Sequence, residues 1–327
     1  MPLMYAAVFD AFGTPAEVIR HTEVTKPEPS LGEVRLKLVL SPIHNHDLLI
    51  IRGIYGFKPT LPYIGGSEAL AIVDKLGENV TNLAIGDRVI AAGISSAWGE
   101  YFIADVKSII PIPDALPDEI AAQLVAMPIS AMMALNRLKP KANEWIIVNA
   151  ANGAVGKTIV QIAVSRDIRV ACLVTRAGAK LDLENCGASD IFIITDSNWQ
   201  NNLTNAIGND RVVGGIDMIG GTLAGEMLHL ISKGGWLLSF GSISNKPMQL
   251  EPTDLIYKEI TVKGFWALQE FERASADEMR AMISELIQLG LSNQLKLPVA
   301  EIFPLNCIAE AVAASDQKRN GKIMIRP

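Results

Sequence analysis

Short β-favouring runs dominate the first third of the chain. Residues 5–10, 34–40, 69–76 and 88–92 each read as a strand, and punctuation such as Pro27-Glu28-Pro29 and Gly77-Glu78-Asn79 separates them. That spacing predicts a small, barrel-like β unit. The pattern changes near Pro117-Asp118-Glu119, where acidic residues open a helix, as the helix dipole favours. The apolar run Ile120 to Leu135 carries Gln123, Pro128 and Ser130, so it predicts a buried helix rather than a membrane span. Two periodicities then alternate. Strands are expected at 145–149, 169–174, 190–194, 216–219, 236–240 and 260–264, and helices at 153–166, 177–186 and 223–232. Continuous apolar strands between amphipathic helices predict a parallel sheet covered on both faces. A long helix is expected at 274–289, and the tail from Glu301 returns to strand and helix patterns.

Composition narrows the function classes. The chain has 327 residues, enough for about two domains with their own cores. It is 49% hydrophobic and 20% charged with a formal net charge of -6, and no Lys/Arg cluster marks a nucleic-acid surface. The three scattered cysteines, Cys172, Cys186 and Cys307, do not make a disulfide framework and read as reduced thiols in a cytoplasmic protein. The first ten residues lack the basic and apolar regions of a signal peptide.

The segment from Trp145 to Gly156 (W-I-I-V-N-A-A-N-G-A-V-G) is a strand running through a small-residue turn into a helix. A pyrophosphate needs that arrangement, because it must approach the backbone closely and take the free N–H groups of a helix N-terminus. Asn152, Gly153, Ala154, Val155 and Gly156 are therefore cofactor candidates. The full G-x-G-x-x-G is absent, so the strand–turn–helix context carries the reading. About twenty residues on, where NAD enzymes place an acid, the chain has Val174-Thr175-Arg176. A guanidinium can pair with a 2′-phosphate, so Thr175, Arg176 and the nearby Lys180 point to NADPH; the alternative is that Arg176 is an ordinary surface residue.

His44-Asn45-His46 has a chelating spacing, and Asp47 and Glu68 could complete a metal site on paper. No cysteine is nearby and Ser67 precedes Glu68, so the expectation is no metal, with His44 and His46 as polar loop residues beside a substrate site.

With A-A-N-G-A-V-G following a β-rich domain, the whole chain resembles the medium-chain dehydrogenase/reductase superfamily. Gly66-Ser67-Glu68 stands where the zinc-dependent members have Gly-His-Glu, which points to the zinc-free branch. There the chain is similar to the mitochondrial-type trans-2-enoyl-thioester reductases. The similarity lies in Gly53-Ile54-Tyr55-Gly56 with Leu61-Pro62 and Gly65-Gly66-Ser67-Glu68, in Asn152 to Gly156, and in Gly264-Phe265-Trp266. The resemblance implies a GroES-like β-barrel catalytic domain at 1–117, a Rossmann doubly wound domain at 118–266, and a return to the catalytic domain at 267–327. It also implies cofactor contacts at Phe240, Gly241, Ser242, Ile243, Phe265, Trp266 and Lys322, a homodimer joined through its dinucleotide sheets, and an active site in the cleft between domains. The chain departs from the family at His44-Asn45-His46-Asp47, usually Asn-Pro-Ser-Asp, and at Met127-Pro128, usually Asn-Pro.

The reaction implied is hydride transfer from NADPH to the β-carbon of a conjugated C=C bond, most naturally of a trans-2-enoyl thioester. Tyr55 is the catalytic candidate, a phenol able to stabilise the enolate or protonate the α-carbon; its other reading is an aromatic lid. His46 is a second proton-donor candidate, since imidazole exchanges protons near neutral pH. Trp98, Tyr101, Trp266 and Phe271 are candidates for an acyl wall, and equally for core or interface packing. A quinone or general enone acceptor remains an alternative, and a non-catalytic NADPH-binding protein a remoter one.

Overall fold

One strand organises the N-terminal part of the molecule. Along Glu33–Pro42 the residues Val34, Leu36 and Leu38 alternate onto one face and are buried in one core. The computed structural model describes residues 2–327; Met1, the first residue of the expected catalytic domain, lies outside them. The chain divides into two compact units, residues 1–126 with 297–327 and residues 127–296.

The first unit opens with β1 (Leu3–Phe9), β2 (Ile19–Thr25), β3 (Glu33–Pro42), β4 (Tyr63–Ile64), β5 (Glu68–Leu76), β6 (Arg88–Ala92), β7 (Tyr101–Asp105) and β8 (Ile109–Pro111). β1 pairs with β2 and with β4 in a small antiparallel sheet. A larger sheet runs β3-β5-β6-β8, with β7 also paired to β3. Their inward residues form one core with Phe9, Phe102 and Trp98. Trp98 is completely buried, and a Cβ on Gly65 or Gly66 would come within 2.4 Å of its ring. Trp98 is thus a core residue, not part of an open acyl wall. The ammonium of Lys26 lies 3.2 Å above the ring of Tyr101.

In the second unit, β9 (Trp145–Val148), β10 (Arg169–Val174), β11 (Asp190–Ile193), β12 (Val212–Asp217), β13 (Trp236–Ser239) and β14 (Thr261–Gly264) form one parallel sheet in the order β11-β10-β9-β12-β13-β14. This is the expected doubly wound arrangement, and the strand order reverses between β9 and β12. β9 is buried at every position because strands flank it on both sides. The chain then returns to the first unit with β15 (Val299–Pro304) and β16 (Lys322–Arg326), and β16 pairs with β3.

Two expectations change. The unit boundaries fall at 126/127 and 296/297, where the sequence placed 117/118 and 266/267. Arg88 holds Asp118 in the first unit, while a two-pronged Arg166–Glu285 pair and the Gln161–Lys296 hydrogen bonds hold the long helix Ala276–Leu291 and the segment after it in the second. The continuous helix expected across Ile120 to Leu135 is broken into Asp118–Ala121 and Ala126–Leu138. No helix among the described residues is long and apolar enough to cross a membrane.

The turn after β9 depends on Gly156. A Cβ there would lie 2.6 Å from the carbonyl oxygen of Ala151 and 2.7 Å from that of Ala150, both backbone atoms that cannot swing aside. Gly156→Ala is expected to destabilise the protein by about 1–3 kcal/mol, read as a lower midpoint of urea unfolding; an unchanged midpoint would show that the turn yields freely.

Candidate active site

In the first unit, the helix Asn45–Ile51 and the start of β5 place five polar side chains together. Asp47 Oδ2 accepts the backbone N–H of His44 at 2.8 Å, which fixes the first turn of the helix. Ser67 Oγ donates to Asp47 Oδ1 at 2.8 Å, and His46 Nε2 lies 2.7 Å from the same Ser67 oxygen. The hydroxyl has one proton and spends it on the carboxylate, so His46 must donate from Nε2. The His46 ring stacks on His44 at 5.0 Å and faces Tyr55 at 5.9 Å between centroids. Tyr55 is half-buried in the loop after the helix. Ile50, Phe57, Tyr63 and Ile94 line a recess of about 80 Å³ beside Asp47 and Ser67.

Glu68 is fully buried behind this group. One oxygen accepts the N–H groups of Val125 and Ala126 at 2.6 and 3.1 Å, and the other lies 2.8 Å from His44 Nε2. Thus Glu68 occupies the helix break and satisfies the first N–H groups of the helix Ala126–Leu138. Burial pushes its carboxyl up to about 7, against the pull of those two N–H groups. Burial likewise holds His44 well below the ordinary imidazole range and brings the Lys322 ammonium down to about 8. Lys322, a cofactor candidate from the sequence, is buried at the start of β16, where Asp47 and Glu68 act on it electrostatically.

In the second unit, the remaining candidates collect along one edge of the parallel sheet, where every strand ends. Asn152 to Gly156 follow β9. The helix Ala154–Ser165 begins after Gly153, which has no side chain to satisfy its free N–H groups. Thr175 and Arg176 follow β10 and are exposed; Lys180 is exposed too, 3.9 Å from Glu184. Phe240, Gly241, Ser242 and Ile243 follow β13, and Phe265 and Trp266 follow β14; the rings of Phe240 and Phe265 stack at 5.2 Å. Ile243 and Trp266 are exposed. The structure therefore brings these positions onto one edge, while Tyr55 and Lys322 stand in the first unit.

Sequence reasoning missed what holds that edge in shape. The fully buried Asp217 ends β12, accepts from the Asn149 amide, and takes the N–H groups of Ile219 and Gly220 at 3.0 Å. Asn149 in turn accepts the N–H of Met218 at 2.7 Å. An acid closing an apolar strand before Gly220-Gly221 was the available signal. Exposed N–H groups at a helix start, a glycine that admits close approach and an exposed Arg176 together fit a dinucleotide with a 2′-phosphate.

Comparison with known proteins fits this geometry. A model of the alcohol dehydrogenase GroES-like domain matches residues 30–114, and one of the zinc-binding dehydrogenases matches residues 154–287. The human mitochondrial enoyl-[acyl-carrier-protein] reductase is 30% identical over 322 residues, spanning 95% of this chain and 85% of that protein. The chain belongs to the medium-chain dehydrogenase/reductase superfamily. The Arabidopsis thaliana mitochondrial enoyl-[acyl-carrier-protein] reductase is 29% identical over 302 residues, covering 90% of this chain and 80% of its own. Among solved structures, a putative NADPH:quinone reductase from Bacillus thuringiensis superposes with a TM-score of 0.91 at 23% identity over all of both chains. An Etr1p complex with NADP and crotonyl-CoA gives 0.88 at 20% identity, again over both whole chains.

The zinc named by the second family model does not fit this oxidoreductase. His44 Nε2 and Glu68 are committed to each other, and His46 to Ser67. His44 Nδ1 is buried without a hydrogen-bond partner, yet no group of three His, Cys, Asp or Glu side chains converges as a metal set among the described residues.

The Glu68 carboxyl titrates higher folded than unfolded, so the folded state holds its proton more tightly and stability falls as pH rises from the ordinary carboxylate range to about 7. Glu68→Gln keeps an acceptor for Val125 and Ala126 and removes that titration. Thermal unfolding across this window is expected to show wild type losing ground to the variant; parallel curves would mean that the carboxyl is already ionised at the low end.

Proposed function

We propose that this oxidoreductase uses NADPH to reduce the conjugated C=C bond of a trans-2-enoyl thioester. The observation that carries the reading is likeness to enoyl-[acyl-carrier-protein] reductases over 90–95% of the chain, through both the β-rich unit and the doubly wound unit. When bound, NADPH supplies the hydride for the β-carbon. The glycine turn and the open N-terminus of the helix Ala154–Ser165 take the pyrophosphate, and Arg176 takes the 2′-phosphate through charge-assisted hydrogen bonds. Phe240 and Phe265, stacked on each other at the strand ends, wall the edge against water. Tyr55 donates a hydrogen bond to the thioester oxygen as negative charge builds there and passes its proton to the α-carbon.

The assembly we propose is a homodimer, for which β14 offers the unpaired edge of the parallel sheet. Residence in a reducing compartment, the cytoplasm, suits its three free cysteines.

The deciding experiment follows NADPH oxidation by absorbance with a short trans-2-enoyl-CoA and, separately, with a quinone. Tyr55→Phe is expected to lower enoyl turnover on the order of a hundredfold or more and to leave NADPH affinity intact. Quinone turnover alone, indifferent to the substitution, would make Tyr55 a packing residue and replace the thioester by a quinone. Arg176→Ala is expected to weaken NADPH binding about tenfold to a hundredfold with little effect on NADH, measured by cofactor fluorescence; equal losses for both cofactors would place Arg176 away from the 2′-phosphate.

A further inference from the structure

We infer that His46, held in place by Ser67 and Asp47, is a proton relay that resupplies Tyr55 after each turnover. The inference rests on the enoyl reduction proposed above. When the α-carbon takes the Tyr55 proton, the phenol is left as a phenolate and must regain a proton before the next cycle. The structure places one imidazole against Tyr55, at 5.9 Å between ring centroids, which lets the ring edges meet directly or through one water.

The orientation of that imidazole is fixed by its neighbours. Asp47 is buried and accepts the Ser67 hydroxyl; Ser67 accepts Nε2–H of His46. Nε2 also lies 3.6 Å from Asp47 Oδ1, so both of its polar neighbours hold that side of the ring. This leaves Nδ1 as the nitrogen that exchanges protons. In the imidazolium, the Nδ1–H bond breaks, its proton passes to the Tyr55 phenolate oxygen, and the neutral ring recovers a proton from solvent. His46 is about one-fifth exposed, which gives that solvent access. No electrons move in the relay, and one proton enters for each that the α-carbon receives. Ser67 and Asp47 act as positioning residues, because their side chains are hydrogen-bonded to each other, to His46 and to the helix start.

The ionisable groups around His46 are Asp47 on its own helix, His44 at the helix start, Tyr55 in the following loop and Glu68 on β5; Lys322 on β16 acts on Asp47 and Glu68. His44 is buried and kept neutral, so it supplies no proton of its own near neutrality. Glu68 is spent on Val125, Ala126 and His44. Of the imidazoles here, His46 alone combines solvent access with an aromatic contact to Tyr55.

The test compares wild type, His46→Gln and Ser67→Ala. With the enoyl thioester, His46→Gln is expected to lose kcat on the order of tenfold to a hundredfold, to keep its KM for NADPH, and to change the shape of its kcat–pH profile. Ser67→Ala, which keeps the imidazole but frees its orientation, is expected to show a smaller kcat loss with the same KM. A His46→Gln enzyme with wild-type kcat and an unaltered pH profile overturns the relay. A second measurement needs no acceptor: Tyr55 ionisation, read by ultraviolet difference absorbance against Tyr55→Phe, is expected to shift in His46→Gln. An unshifted Tyr55 titration overturns the coupling whatever the substrate proves to be, whereas a wild type inert towards enoyl thioesters overturns the functional reading alone.

Discussion

The first unit depends on what the buried Glu68 carboxylate is bonded to. Without hydrogen bonds, an acid at zero exposure would cost several kcal/mol to bury. Here it holds two backbone N–H groups and one imidazole, and each contact has a structural result. The N–H groups belong to the start of the helix Ala126–Leu138, so the carboxylate ends one helical segment and begins another. The imidazole belongs to the residue that starts the helix Asn45–Ile51, so the same side chain fixes where His46 and Asp47 project. Removing Glu68 would leave Val125, Ala126 and His44 to find new partners together, which is why its neighbours behave as one group.

The second unit solves a different problem. A parallel sheet ends all its strands on one edge, and that edge must be irregular enough to admit a ligand yet rigid enough to bind one. The Asn149–Asp217 pair supplies rigidity by tying the ends of β9 and β12 where the strand order reverses. Small residues supply access. Gly156 lets the helix start sit against the carbonyls of Ala150 and Ala151, and Gly241 lies where a Cβ would be 2.9 Å from the Met218 carbonyl oxygen. β9 and β12 are buried along their whole length, and their polar residues, Asn149 just after β9 and Asp217 closing β12, stand at the strand ends.

Regular elements with strong periodicity were legible in the sequence: β3, β5, β6, β9 and β10 fall within a residue or two of their expected bounds. So was the glycine turn, because strand, turn and helix are contiguous in the chain. The break near residue 122 was not, because its cause is a side chain on β5, 57 residues from Val125. β12 starts four residues before the expected Ile216, across Gly214 and Gly215, which interrupt the apolar pattern; a Cβ at Gly214 would lie 2.6 Å from the carbonyl oxygen of Trp236, so the glycine is demanded by packing. The seven-residue helix Asn45–Ile51 was hidden in a stretch read as loop, since its start is set by Asp47 and by a histidine rather than by a serine or threonine. Tyr55 was found by resemblance; its nearness to His46 required three dimensions.

The first unit is discontinuous: β16 pairs with β3 although the whole second unit lies between them in the chain. During synthesis β3 leaves the ribosome long before β16 exists, so its open side stays without that neighbour while the second unit is made. The second unit, by contrast, is one uninterrupted stretch and can complete its core first. The order of emergence therefore runs against the order of the sequence: the N-terminal unit begins first and finishes last. Throughout that interval Ser41 and Pro42 present an unfilled strand edge, the kind of exposed pairing surface on which incomplete chains aggregate.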